Sequence, residues 1–422
     1  MTLVFEHATL LDGTGRDPQP DTRVLVEQGR IRRIAREDAG RIPSGAKVID
    51  CQGRTLMPGL IDAHVHLAIV ELDDMATASL PPAVLAARIS REIEATLDAG
   101  FTTVRDAGGL DAGFREAIRL GLIRGPRIFI SGPFISQTGG HGDHRPRGWR
   151  GPMPAIPGIS SESILADSPQ EVRRAAREAL RRGADQIKVM ASGGAASPTD
   201  ELTHTQFSVE ELAAAVEVAR AVDTYVLAHA YGPRAIQNSL EAGVRSIEHA
   251  NLLDEETADQ MLAADDTYLV PTIVTYELLA QQELSSGWTE VNQRKIRQGL
   301  DGAYTALELA FEKGLRIGSG SDVLAEMQPL KGREIACQAR VMGAMAAIVA
   351  ATRTNAELMK IASEVGTVEE GKQADLIVVD GDPLGQPEIL GDAQKVRLVC
   401  AAGRIVKELD AGRQLSRAGS QR

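Results

Sequence analysis

From residue 58 to residue 322 the chain repeats one pattern, a short apolar run followed by a longer amphipathic stretch. The apolar runs are LIDAHVHL, TTVRDAG, RIFISG, DQIKVMASGG, TYVLAHAYG, RSIEHAN, YLVPTIVT and LRIGSGSD. Each has the length of a buried strand. The stretches between them, such as PPAVLAARISREIEATLDAG and SPQEVRRAAREALRRG, place apolar residues three and four apart and carry a glycine near the end, where a helix C-terminus favours φ > 0. SVEELAAAVEVARA opens with Ser208 and Glu211 at capping-box spacing. Parallel strands need a crossover each, and a helix supplies it, so eight such units predict an α/β fold, a (β/α)8 TIM barrel. Aromatic residues are only 3% of the chain, so its core must rest on Ala, Val, Leu and Ile.

The two ends read differently. Residues 1–57 and 358–422 carry strand-and-turn patterns without helical period. TRVLVEQGRIRRIA near the start and KVRLVCAAGRIVKE near the end share one layout of strand, tight turn, Gly-Arg-Ile and strand. Both ends are therefore expected in one small composite β-sandwich domain, with the TIM-barrel domain, 58–357, inserted between them. The closing LSRAGSQR reads as a frayed tail.

The chemistry-bearing residues sit at the ends of the predicted strands. His64 and His66 are two apart on a strand and so share a face. Lys188 stands between Ile187 and Val189, where an ammonium is costly to bury unless it is paired or discharged. His229, His249 and Asp322 close three further strands. A lone HxH is more often a pair of satisfied core histidines. Five strands contributing two His, Lys, His, His and Asp at the C-terminal face of a barrel, where active sites are built, favour a metal centre. Cys51, Cys337 and Cys400 lie far apart and form no CxxC pair, which argues against a cysteine-based zinc site or a disulfide framework. A formal charge of −12 argues against nucleic acid and anionic membrane as partners. No segment has the length or apolarity of a membrane span, and no signal peptide opens the chain, so a cytoplasmic protein is expected.

MPGLIDAHVHL, followed by Lys188, His229, His249 and Asp322 in strand order, resembles the amidohydrolase superfamily of metal-dependent hydrolases over nearly the whole chain. GTVEEGKQADLIVVDGDPL is similar to that family's return into its β-sandwich. The resemblance implies two divalent metal ions. His64 and His66 would hold the more buried one, His229 and His249 the other. Lys188, carboxylated by CO2, would bridge them, and Asp322 would bind the first metal and its bridging hydroxide. Imidazole and oxygen ligands suit zinc. In the implied mechanism the hydroxide attacks a scissile carbonyl while Asp322 passes its proton to the leaving nitrogen.

The loop SQTGGHGDHRPRG after the third strand brings His141 and His144 to the same rim. His141 is expected to hydrogen-bond the carbonyl oxygen. Tyr231, two residues past His229, is a candidate contact for a substrate carboxylate, as are Arg145 and Arg147. Ser192, Gly193 and Gly194 would line the pocket. GGHGD, IKVMASGG and AHAYG together resemble the branch holding Xaa-Pro dipeptidases, carboxypeptidases of N-acyl amino acids, imidazolonepropionase-like proteins and enzymes that split ochratoxin A. The expected substrate is thus a small molecule with an amide beside a free carboxylate. A cyclic-amide hydrolase or deaminase on the same fold is the alternative, although a strand-four lysine speaks against a mononuclear deaminase. Arg105 and Asp106 are expected to form a salt bridge at the rim, His204 to sit on a loop over the site, and His7 to have no identifiable partner. A homo-oligomer is expected by analogy with barrel hydrolases.

Overall fold

The structure is a computed structural model that describes residues 2–36, 41–145, 147–151, 156, 158–159, 163–197, 199–281 and 289–409. The expected tail, 415–422, lies outside them.

Seven regular strands build most of the barrel. Leu60–Val65, Phe101–Asp106 and Arg127–Ile130 pair in parallel in that order. Ile187–Met190, Val226–Ala230, Ser246–His249 and Tyr268–Val270 form a second parallel run. The runs meet where the Asp185 amide donates to the Ile130 carbonyl at 2.7 Å and Ile135 pairs with Val189. The eighth position is an extended segment rather than a regular strand. Its Arg316 carbonyl accepts from Leu269 at 2.9 Å, and its Ser319 carbonyl accepts from Ala63 at 2.9 Å. It therefore bonds to both the seventh strand and the first, and closes the barrel. The run LRIGSGSD is irregular because Gly318 and Gly320 give a pleat no side chains to pack, and Asp322 turns left-handed at φ 53°.

YLVPTIVT is a strand only over Tyr268–Val270. Pro271 has no amide for the ladder, and Ile273 opens the helix Ile273–Gln281. The buried Glu334 carboxylate accepts from the Val274 amide at 2.8 Å, which satisfies a donor at that helix start. The other amphipathic stretches form the expected helices, among them Pro82–Asp98, Pro169–Arg181 and Val209–Arg220. Ser208 and Glu211 make both bonds of the capping box. The outer layer packs on the strands through small residues. Ala175, Ala176, Ala215 and Ala219 lie against Val189, Ala228 and Ile247 in one buried cluster.

The chain ends share one eight-stranded sheet. Its path runs Arg404–Glu408, Val396–Ala401, Leu376–Val379, Thr55–Pro58, Thr2–Leu10, Gln19–Glu27 and Arg30–Arg36, with Lys47–Asp50 pairing alongside Thr2–Leu10. The two similar hairpins thus lie at opposite edges of the sheet. The sheet curls until their turns touch, because a Cβ on Gly403 would stand 2.3 Å from the Gly29 Cα. Only glycine at both turns admits that approach. Alternation sets the two faces: Leu376 and Val378 join the sandwich core, whereas Ile377 and Val379 pack with Leu97, Phe101 and other barrel residues. Among the described residues, no helix is long and apolar enough to cross a membrane.

Candidate active site

The C-terminal ends of the barrel strands open into a cavity of about 680 Å3, its mouth included, whose wall holds His64, His66, Lys188, His229, His249 and Asp322 together. His64 and His66 point the same way from strand one, with their Nε2 atoms 3.3 Å apart. The Asp322 carboxylate lies 3.5 Å from His64 Nε2 and 3.3 Å from His66 Nε2. The His249 ring is centred 5.0 Å from that of His64 and 4.5 Å from that of His229. His64, His249 and Asp322 offer ligand atoms that all lie within 4.8 Å of one another.

Strand periodicity alone does not produce this convergence. Glu248 and His249 are consecutive, so a regular strand would face them oppositely. His249 at φ 73° and Ala250 at φ 51° leave the strand in left-handed geometry, which turns the ring back into the cavity. Such conformations cost on the order of 1–3 kcal/mol each and persist where the surroundings enforce them.

Each imidazole of the expected ligand set is tied at one nitrogen. His64 Nδ1 donates to Glu248 at 2.7 Å, His66 Nδ1 to the Gly108 carbonyl at 2.8 Å, and His229 Nε2 to the Gly193 carbonyl at 3.0 Å. His249 Nδ1 lies 2.8 Å from Thr272 Oγ1. The opposite nitrogen of His64 and of His229 is left to act as a lone pair, the arrangement metal-ligating histidines need. His66 differs: burial would lower its pKa, but the hydrogen bond and charge of Asp322 raise it, so its Nε2 must give up a proton to bind a metal. Burial lowers the pKa of His64 and His229 well below the ordinary range and that of His249 to about 3, so these rings are neutral. Burial would raise Asp322, but the hydrogen bond and charge of His66 outweigh it and hold the carboxylate ionised. Burial draws Lys188 down to about 8, against the pull of Glu248 and Asp322, and the nearby Arg105 adds to the depression. A neutral amine is therefore accessible near physiological pH.

Glu248 escapes the sequence reading, although it stands beside His249. It holds His64 and accepts from Arg105 Nη2 at 2.9 Å through both carboxylate oxygens. Arg105 also donates to Ala63 O at 2.5 Å and to Ser246 at 3.1 Å. The expected Arg105–Asp106 bridge does not form, since neighbours on a strand face opposite sides. Asp106 instead accepts amides of Leu67, Gly108 and Leu110 and is pushed up to about 6 by burial.

The rest of the wall comes from loops. His141 and His144 both line the cavity, and the His141 ring stacks on His229 at 4.2 Å. His141 is fixed by Ser197 Oγ, 3.0 Å from its Nδ1, and by Gln206, which accepts its backbone amide at 2.9 Å. A Cβ on Gly194 would fall 2.2 Å from the His141 ring, so this glycine makes room for it. Tyr231 lines the cavity, with its ring stacked on His249 at 5.2 Å and its hydroxyl bonded to that of Tyr276. Ser192 is not on the wall; its hydroxyl accepts the Tyr231 amide at 3.1 Å and donates to Gly193 O at 2.9 Å. Arg145 is not on the wall either, being held by the Asp143 carboxylate at 2.6 and 2.7 Å. Arg147 and His204 are exposed and outside the wall, and His7 pairs with Asp50 at 2.9 Å.

Further wall residues carried no recognisable sequence signal. Ile69, Phe134, Leu279 and Leu324 make it apolar, and Thr275 and Tyr276 come from the helix Ile273–Gln281, which begins inside the run YLVPTIVT. The loop after strand four is pinned from behind by the helix Glu290–Glu312. Lys295 of that helix is fully buried and donates to the carbonyls of Gly194 and Ser197 at 2.7 Å and of Asp200 at 3.1 Å.

The model of the amidohydrolase family matches residues 55–406. The chain belongs to the amidohydrolase family. Ochratoxinase of Aspergillus niger is 33% identical over 365 residues, which cover 83% of this chain and 75% of that protein. A solved prolidase in complex with N-methylphosphonate-L-proline superposes with a TM-score of 0.91 at 37% identity, over 97% of this chain and 100% of that one. A Xaa-Pro dipeptidase with methionine in its active site gives 0.86 at 29% identity, over 96% and 100%. This amidohydrolase is thus a hydrolase of the branch that includes prolidases and ochratoxinase.

Proposed function

We propose that this amidohydrolase cleaves an amide bond beside a free carboxylate, in Xaa-Pro dipeptides or N-acyl amino acids, a class that includes ochratoxin A. The observation that carries this reading is the single cavity that joins six metal-type ligands to an apolar wall ending at Tyr231. The names of the similar proteins, ochratoxinase and Xaa-Pro dipeptidase, support the same bond type.

The donor set fits two divalent cations, preferably zinc. It offers the neutral imidazoles of His64, His229 and His249, an ionised carboxylate at Asp322, and at Lys188 an amine that burial brings down to about 8, within reach of its neutral form. His64, His66 and Asp322 would hold one ion, and His229 and His249 the other. The neutral Lys188 amine would add to CO2 and release a proton, giving a carbamate that serves both. When bound, such a pair supplies a water of lowered pKa and polarises a carbonyl. Asp322 takes the proton of the attacking water and delivers it to the leaving nitrogen as the C–N bond breaks. His141, held through Nδ1 by Ser197 and stacked on His229, lines the cavity, where a hydrogen on its Nε2 would meet the carbonyl oxygen. Tyr231 donates to the substrate carboxylate, and the apolar wall takes the acyl side chain.

Elemental analysis of the purified protein is expected to find about two divalent ions per chain. Lys188→Ala is expected to lose at least one of them and most of the activity. A panel of Xaa-Pro dipeptides, N-acyl amino acids and cyclic amides tests the substrate class, and turnover of cyclic amides alone would overturn the reading.

A further inference from the structure

The two ring nitrogens of His141 have different surroundings. Nδ1 faces the interior, 3.0 Å from the hydroxyl of the fully buried Ser197. Nε2, on a ring that lines the cavity, has no hydrogen-bond partner among the described residues. The Ser197 hydroxyl also touches an Asp200 carboxylate oxygen and lies 3.0 Å from the Gly194 carbonyl. Both are acceptors with no hydrogen to give, and the hydroxyl has only one. Were that hydrogen spent on His141, the Ser197 oxygen would face a carboxylate and a carbonyl with lone pairs alone, three buried acceptors without a donor between them. Given to Asp200, it leaves the Ser197 oxygen free to accept, and His141 Nδ1 is then the donor. The neighbouring bonds agree with this assignment. Asp200 accepts from Gln206 Nε2 at 2.8 Å and from the Gly194 amide at 3.3 Å, with the Lys295 ammonium at 3.6 Å, a setting that suits a carboxylate. The Gly194 carbonyl takes a Lys295 hydrogen at 2.7 Å and does not need that of Ser197. A neutral imidazole with its hydrogen on Nδ1 carries a lone pair on Nε2. Burial, aided by His144 and Lys295, pulls the His141 pKa well below the ordinary range, so no second proton fills that place. Ser197 and Asp200 impose this state whether or not a metal is bound.

We infer that Ser197 and Asp200 are positioning residues that fix the His141 hydrogen on Nδ1, so that Nε2 meets the substrate as an acceptor and takes the N-terminal ammonium of a dipeptide. This rests on the amide-hydrolase reading above and narrows its substrates to amides with a free amine on the acyl side. A contact with the carbonyl oxygen needs a hydrogen on Nε2, and the ring held in this way has none there. The wall offers an ammonium little else. Among the described wall residues Asp322 is the one carboxylate, and it lies against both His64 and His66.

Nitrogen NMR of protein labelled at histidine reads the tautomer directly, because a ring nitrogen with a hydrogen and one with a lone pair resonate far apart. His141→Gln identifies the signal. At about pH 8 the hydrogen is expected on Nδ1 in both zinc-loaded and metal-stripped protein. Ser197→Ala is expected to admit the form with the hydrogen on Nε2, and Ser197→Thr, which keeps the hydroxyl, to hold it on Nδ1. The second readout is the kcat/KM of a dipeptide relative to that of its analogue with hydrogen in place of the N-terminal amine. The wild type is expected to favour the dipeptide by about 10- to 100-fold, Ser197→Ala to lose most of that preference and Ser197→Thr to keep it. A hydrogen on Nε2 in the wild type overturns the inference, as does Ser197→Ala with the tautomer and preference of the wild type. A hydrogen on Nδ1 with equal turnover of the two substrates overturns the ammonium as the group that His141 takes. A wild type that cleaves neither dipeptides nor N-acyl amino acids overturns the amide-hydrolase reading, whereas the tautomer is read without substrate and is judged by itself.

Discussion

Glu248 accepts from Arg105 with both oxygens and holds Nδ1 of His64, in a position where all three side chains are almost wholly buried. Glu248→Gln keeps the shape and removes the charge. It leaves Arg105 as a buried cation without its counterion, and the loss is expected to be about 3–5 kcal/mol in urea unfolding. It also loosens the tie that orients His64, so metal affinity is expected to fall about 10- to 100-fold in a competitive chelator titration. Unchanged affinity would count against His64 as a ligand. A second buried ion sets a pH dependence away from the cavity. Lys331 donates to Thr96 Oγ1 at 2.8 Å, and burial lowers its pKa from 10.5 to about 8. Below pH 8 both folded and unfolded chains hold this proton, and the folded state bears the full cost of the buried charge. Between about 8 and 10.5 the unfolded chain binds more protons, so stability rises with pH through that window. The difference in urea midpoint between the wild type and Lys331→Met is expected to shift in favour of the wild type from pH 7.5 to 10, and a flat difference would refute it. The six candidate ligands stood out in the sequence, because His, Lys and Asp at strand ends are costly in an apolar setting, and the structure brings them to one cavity. Glu248 and Arg105 were not, because their meaning is their mutual contact, 143 positions apart.

Helices announced themselves through period, cap and closing glycine, since those signals are local. The helix Ile273–Gln281 did not, because a short apolar run after Pro271 has no period long enough to separate helix from strand. The loop after strand four depends on a helix almost a hundred residues later. Lys295 holds three of its carbonyls and lies 3.6 Å from Asp200. Lys295→Met fills the space but removes the donor of the Ser197 and Asp200 carbonyls and the cation beside the Asp200 carboxylate. A loss on the order of 3 kcal/mol is expected, with cleavage concentrated between residues 191 and 204 in limited proteolysis. Activity is expected to fall with it, since Ser197 in this loop holds His141. Unaltered proteolysis would show that the loop does not need Lys295.

At the scale of the molecule, the order of element types and the residue types at the strand ends were set by the sequence alone. Periods of 2 and 3.6 are properties of neighbouring residues, and a buried charge stands out wherever it falls. On that basis the barrel, the shared sheet of both chain ends and the six candidate ligands could be read directly. Tertiary structure decided the rest. It closed the barrel through an irregular eighth segment, brought Gly29 against Gly403, and turned His249 inward by a left-handed exit from its strand. It also gave Arg145 to Asp143 rather than to the cavity and joined Tyr231 to Tyr276. Each of these pairs groups that no local pattern relates, and their partners exist only once the barrel has closed.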